Sequence, residues 1–233
     1  MLLDRGILAR ESSDLAAALA SHEEALALAA EARLEVALAR ALGELGWDRL
    51  AGGDPAAALA LFERALDSKA ARESPEIAGA LRSGIARARE RLGETGPAAE
   101  QDDLAVDAIE SVRLGTLSEA RRLGFWRVRQ GVFRSAIALR HRLLVDSGGV
   151  RHAERALELA EQARSRTLLD LVSRGVVPVG SEGEGRAWTV ERLRAGLLAG
   201  DVGIVAFALD EPRSWAWVLT RDACAMAALP GRG

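Results

Sequence analysis

The apolar positions of the chain follow two different periods. Through residue 172, alanine and leucine recur every three or four positions, which is the spacing of amphipathic helices. From Val202 onward the apolar residues form short runs, in which every second side chain faces the same way. The pattern predicts a mostly helical protein in which a helical array precedes a small antiparallel sheet.

Three strands are predicted in the last part of the chain. Their ranges are Val202–Leu209, Ser214–Thr220 and Ala223–Leu229, with turns at Glu211–Arg213 and Arg221–Asp222. In the second strand Trp215, Trp217 and Leu219 share one face. A short helix, Val190–Leu198 with Thr189 as its N-cap, is the only predicted cover for these tryptophans.

The helical part contains an internal repeat. Residues 13–26 and 53–66 are identical at nine of fourteen positions, at a constant offset of 40. Gly6 and Gly46 are separated by the same offset. Small residues allow two antiparallel helices to approach closely, and a large side chain then fills the gap to the next pair. The repeat therefore predicts stacked helical hairpins.

The second copy resembles the tetratricopeptide repeat. The residues that carry this resemblance are Gly46, Gly53, Asp54, Ala58, Phe62 and Ala65. Asp54 is a suitable N-cap, and Pro55 suits the first turn of the helix that follows. There are two departures, because His22 stands at the aromatic position of the first copy and Arg49 at a second position that is usually aromatic.

The offset of 40 exceeds the 34 residues of the standard repeat. We expect the extra residues between helix pairs, at Ser68–Pro75. A third copy is predicted at Ile77–Leu92 and Ala98–Val112, around a Gly96-Pro97 turn, and a fourth at Ser118–Val145 and His152–Val172. In the fourth copy Ala156, Ala160 and Ala163 correspond to Ala58, Phe62 and Ala65.

The last repeat helix resembles a more specific family. The matching residues are Ala156, Leu157, Leu159, Ala160, Glu161, Arg164, Arg166, Leu168, Leu169, Asp170 and Leu171. Together with the strands after them, in which 214–222 read SWAWVLTRD, they are similar to the start of a CHAT domain, a caspase-like domain associated with tetratricopeptide repeats. An ordinary amphipathic helix would explain the leucines, but not Arg164 and Arg166.

The expected fold class follows from these patterns and resemblances. It is mostly α, a tetratricopeptide-like α-solenoid followed by an incomplete α/β domain start of caspase-like type. The repeat array is predicted at 1–174, a linker with four glycines and Pro178 at 175–186, and the fragment of the CHAT-like domain at 187–233.

No catalytic residue is predicted within this chain. The resemblance implies a cysteine protease whose His–Cys dyad lies beyond Gly233, so an active protease is the less favoured hypothesis. Cys224 falls in a predicted strand and is expected to be a small buried hydrophobe. His22, His141 and His152 fall on repeat helices that we do not expect beside Cys224. Their spacing does not suggest metal ligands, and no cofactor is predicted.

Charge and composition limit the partners. Residues 1–112 carry 12 basic and 21 acidic side chains, whereas 113–174 carry 13 arginines and 6 acids. The basic part could bind nucleic acid or an acidic part of the same protein, but no aromatic residues are interleaved for base stacking, so nucleic acid is not favoured. The lack of an 18-residue apolar stretch or a signal peptide, together with a single cysteine, predicts a cytoplasmic protein without membrane contact.

Two hypotheses of function remain besides the protease. The first is a repeat module that binds a protein or peptide and regulates a downstream CHAT domain. The second is a free-standing repeat scaffold with a small β cap. Arg40 and Trp47 are the candidate ligand contacts, because both lie on the first helix of the second repeat. For Trp47, packing against the neighbouring helix is the alternative.

Overall fold

The computed structural model describes residues 1–112, 119–173, 189–196, 202–210 and 213–231, without the side chains of 119–128, 165–173 and 196. The helices are α1 (Leu2–Glu11), α2 (Leu15–Glu31), α3 (Glu35–Ala51), α4 (Pro55–Leu66), α5 (Lys69–Glu73), α6 (Pro75–Arg91), α7 (Thr95–Glu110), α8 (Glu119–Ser147), α9 (Val150–Ser173) and α10 (Val190–Gly196). The strands are β1 (Ile204–Ala208), β2 (Arg213–Leu219) and β3 (Cys224–Pro230). The chain is therefore mostly helical with a small sheet, as predicted.

The turns between paired helices repeat at the predicted offset of 40. Ser13, Gly53 and Gly93 have positive φ values of 64°, 80° and 84°. The residue after each turn donates its backbone N–H to a carbonyl five residues earlier, and the side chains of Asp14 and Asp54 cap the next helix. The third copy thus keeps the same turn register as the first two.

One predicted turn is in the wrong place. Gly96 and Pro97 lie in the first turn of α7, and the chain reverses earlier, at Gly93. Proline is tolerated at the start of a helix because no intrahelical partner is lost there. The extra residues around Ser68–Pro75 form the short helix α5, in the predicted position.

The helix crossings use equivalent positions in three successive copies. Ala18, Ala58 and Ala98 are fully buried. Four residues further along, the buried side chain is His22 in α2, Phe62 in α4 and Asp102 in α7. One geometry of crossing is therefore filled by three chemically different side chains, and only the second copy uses the aromatic residue expected there.

Two compact units make up the chain, Met1–Ser135 and Ala136–Gly233, and their boundary falls inside α8. In the first unit, α2 packs on α3 and α4 packs on α6, so each hairpin contacts the first helix of the next. In α9, the buried residues Ala153, Leu157 and Ala160 have the spacing of Ala58, Phe62 and Ala65, whereas Ala163 is half-buried. The predicted linker 175–186 lies outside the described residues.

The second unit contains the predicted antiparallel meander in the order β1-β2-β3. Trp215, Trp217 and Leu219 lie on its inner face and are buried. Their cover is larger than predicted, because α9 packs against β3 and the ring of His141 lies 4.8 Å from that of Trp215. The short helix α10 begins with Thr189 as its cap, as predicted, and packs on α9.

Candidate peptide-binding groove

A groove of about 980 Å³ lies in the first unit, between the start of α1, the second half of α2 and the first half of α3. Its lining is mostly apolar and includes Leu3, Leu28 and Leu34, the last two of which are about half exposed. Concave apolar surfaces with few polar groups are the usual form of ligand sites. The groove therefore has the shape and lining of a candidate ligand site.

Arg40 contributes one positive charge to this groove, whose lining also includes the Met1 amino group and the Asp4 and Glu31 carboxylates. Its guanidinium lies 3.6 Å from the Glu76 carboxylate, and the side chain is 44% exposed. Glu76 is 18% exposed, but an ion pair of this length to a half-exposed arginine contributes little stability. The structure thus places Arg40, one of the two predicted contacts, in the lining of this groove.

Trp47 does not line the groove. It is half-buried, and its ring meets the Phe62 ring edge-on at 5.4 Å between centroids. Trp47 packs against the hydrophobic core around Phe62 together with Leu59 and Leu66. The structure places this residue against the neighbouring helix, so it does not bring the two predicted contacts together at one ligand surface.

A buried polar network lies beneath the α1 wall of the groove. His22 and Asp48 are both fully buried, with 2.6 Å between Nδ1 and Oδ2. Arg10 donates to the other Asp48 oxygen at 2.7 Å and to the Glu44 carboxylate at 2.7 Å. Burial lowers the pKa of Arg10, but its hydrogen bonds to Glu44 and Asp48 outweigh that effect, so the pKa is raised. These contacts join α1, α2 and α3.

Asp102 is a buried carboxyl group, and none of the described side chains forms an ion pair with its oxygens. Within the described part of the chain, neither oxygen has a hydrogen-bond partner, and neither does the buried Ser135 hydroxyl. Burial raises the pKa of Asp102 from 3.8 to about 7. The neighbouring Ser135 hydroxyl and the positive charge of Arg87 lower this pKa, whereas the negative charges of Glu90 and Asp103 raise it further. The sequence analysis missed this residue, although the offset of 40 from Phe62 could have identified it.

Cys224 is buried, as predicted, and its thiol is not prepared for nucleophilic attack. Burial raises its pKa to about 11, Glu154 adds to the rise and Arg194 opposes it. The expectation that no histidine-bearing helix lies beside it was wrong, because α9, which carries His152, packs on β3. A reactive cysteine needs a lowered pKa, and here the pKa is raised.

The two other histidines have their own environments. Burial, and secondarily the charge of Arg213, lowers the pKa of His141. Burial and the charge of Arg140 lower the pKa of His152. Among the described residues, no group of three or more His, Cys, Asp and Glu side chains could hold a metal ion.

The outer face of the sheet is apolar and exposed. Val205 and Val218 are paired across β1 and β2 and are 59% and 48% exposed, and Phe207 is 51% exposed. Ala225 and Ala227 continue this face on β3. Strands with apolar residues on both faces are typical of sheets that are covered on both sides. Within the described part of the chain only the inner face is covered.

Arg164, one of the residues that matched the CHAT-like helix, contacts the edge of this sheet. The Thr220 N–H donates to the Ala223 carbonyl, so the even-numbered residues of β2 bond to β3 and the odd-numbered ones bond to β1. Phe207 is paired with the even-numbered Ala216, so its backbone N–H and carbonyl point away from β2, toward the other edge of β1. Arg164 Nη2 donates to the Phe207 carbonyl at 2.7 Å. This contact gives the arginine a structural role that helical periodicity alone does not explain.

Two further side chains of α9 hold α10 and the sheet. Glu158 accepts a hydrogen bond from the Val190 N–H at 3.1 Å, at the start of α10. Glu154 pairs with Arg194 at 2.6 Å, and Arg194 Nε donates to the Thr220 carbonyl at 3.3 Å. The last helical hairpin and the sheet are therefore joined by several directed contacts. The side chains of the other matched residues, from 165 onward, lie outside the described part.

Comparisons with known proteins give no relative. No family model, no curated protein and no solved structure matches this chain. Of the helices described, none has the length and apolar character needed to cross a membrane.

Proposed function

We propose that this chain is a helical repeat module that binds a protein or peptide and regulates a caspase-like protease domain of the CHAT type. In this proposal the hairpins form a tetratricopeptide-like solenoid, and the meander is the first part of the protease domain. The described residues serve binding and coupling, and the catalytic dyad is supplied by residues that follow the meander.

The observation that carries the proposal is the two-sided apolar sheet, whose inner face is held by the last helical hairpin. Burying an exposed valine or phenylalanine releases about 1.5–3 kcal/mol. Val205, Phe207 and Val218 would contribute on this scale if further strands or helices covered them. A solvent-facing cap would instead carry polar residues on its outer face, so the free-standing scaffold is the weaker alternative.

The contacts of α9 provide a path for regulation. Arg164 reaches β1, and Glu154 and Glu158 hold α10 and its link to the sheet. A shift of α9 caused by ligand binding to the repeats would therefore change the position of the sheet. Such coupling requires that the ligand bind the two positions of α9 with different affinity.

The outer face gives the first test. Val218→Thr keeps a β-branched side chain and changes only an exposed position, so we expect a change in unfolding free energy within about 0.5 kcal/mol. The neighbouring change Leu219→Thr lies on the buried inner face and should cost about 2–4 kcal/mol. Urea unfolding of the two variants measures both effects. A cost for Val218→Thr as large as that of Leu219→Thr would show that the outer face is already covered and would remove the main support of the proposal.

The groove gives the second test. Peptides with an apolar core and a carboxylate are first selected on a peptide array. We expect Arg40→Ala to lower the affinity for the selected peptides by about tenfold, because one charged contact is lost. Arg64→Ala on the exposed face of α4 is the matched control and should leave affinity unchanged. Fluorescence anisotropy with the selected peptide provides the measurement. Equal affinity of the Arg40 and Arg64 variants would exclude Arg40 from the site.

A further inference from the structure

Each ring nitrogen of His22 faces a hydrogen-bond acceptor. Nδ1 lies 2.6 Å from a carboxylate oxygen of Asp48, and Nε2 lies 3.1 Å from the backbone carbonyl oxygen of Leu3. A neutral imidazole has one N–H and one lone pair, so in this place one ring nitrogen would point a lone pair at an oxygen. Only the doubly protonated ring can donate to both partners.

The surrounding charges support a proton on the ring rather than on Asp48. Arg10 donates to Oδ1 of Asp48 at 2.7 Å, which stabilises the ionised carboxylate. Glu44 is the second acid at this guanidinium, at 2.7 Å. With one proton more on His22, the two cations balance the two carboxylates. The other arginine of α1, Arg5, is directed to Ser21 and Glu24 and not to the ring.

The His22 ring fits against α1 because residue 6 is a glycine. Gly6 of α1 lies directly against it, and a Cβ on that glycine would come within 2.3 Å of Nε2. In the next repeat the positions of His22 and Asp48 are taken by Phe62 and Ala88, both fully buried. The same crossing is thus apolar in one copy and ionic in the other, which means that folding of a repeat does not require the ionic pair.

We propose that His22 is held as an imidazolium whose two N–H groups tie α1 to α2 and α3, so that the α1 wall of the groove is held by a proton. Either neutral tautomer would instead place a ring-nitrogen lone pair against the Leu3 carbonyl or the Asp48 carboxylate. Leu3 is itself part of the groove. The consequence for ligand binding rests on the proposed function of the groove. The protonation state of His22 does not rest on it.

The direct test is nuclear magnetic resonance of the folded chain with ¹⁵N-labelled histidine rings. We expect both ring nitrogens of His22, assigned by its loss in His22→Phe, to carry protons at about pH 7. A single protonated nitrogen at that pH would overturn the proposal. The measurement involves no peptide, so its failure differs from failure of the groove to bind.

Discussion

Replacing Asp102 with asparagine should stabilise the chain at mildly alkaline pH and leave it almost unchanged in acid. The pKa of this carboxyl is raised from 3.8 to about 7 by burial. Below pH 3.8 the carboxyl is protonated in both the folded and the unfolded chain, so the variant and the unaltered protein should be about equally stable. Between the two pKa values the folded chain binds the extra proton, and the free energy of unfolding falls as the pH rises.

The full effect is reached above about pH 7, where the ionised carboxylate is buried without a hydrogen-bond partner among the described residues. Each pKa unit corresponds to about 1.4 kcal/mol, so the asparagine variant should gain on the order of 4 kcal/mol over the unaltered chain at about pH 8. Urea unfolding followed by circular dichroism at several pH values measures this difference. Asp107→Asn on the exposed side of α7 is the control and should show no such gain. A pH-independent difference between the Asp102 variant and the unaltered chain would exclude a raised pKa.

Truncation of Phe62 to alanine should cost about 3–5 kcal/mol in unfolding free energy. The ring is fully buried between two glycines, since a Cβ at Gly46 would come within 2.6 Å of it and a Cβ at Gly84 within 2.5 Å. The repeat therefore depends on this ring and on the absence of side chains beside it. Equilibrium unfolding in urea measures the cost, and a loss below about 1 kcal/mol would show that the crossing is not packed around Phe62.

The close approach itself can be tested from the glycine side. Gly46→Ala should cost about 1–3 kcal/mol by overpacking, and adding Phe62→Leu should recover part of that loss because the ring is removed. Gly96→Ala is the matched control, since nothing lies within 4 Å of a Cβ at this position. It should be neutral or slightly stabilising. Strict additivity of the Gly46 and Phe62 changes would argue against direct contact.

Much of the fold could be predicted from regular spacings in the sequence. The offset of 40 identified the turn at Gly53 and the small residues at the crossing, and the alternation of Trp215 and Trp217 identified a strand with one buried face. Extending the same offset would have placed Ala98 and Ala105 correctly in the third copy. Asp102 concealed the register of that copy, because a carboxyl at an aromatic position looks like the exposed side of a helix.

Contacts between distant segments were not predictable in the same way. His22 and Asp48 lie 26 residues apart, and no periodicity relates them. The cover of the sheet by α9 depends on how two different elements pack, which the spacing of apolar residues in either one does not determine. For the same reason Arg40 could be assigned to a helix but not to a groove, and Trp47 could not be assigned to core or surface.

The central claim is that the meander belongs to a larger protease domain regulated by the repeats. The intact mass of the native polypeptide, purified from its source cells with an antibody against residues 1–112, tests it most directly. We expect a mass well above 24.7 kDa, with peptides beyond Gly233 that contain a histidine and a cysteine. A native polypeptide of 24.7 kDa would contradict the claim and would favour the free-standing scaffold.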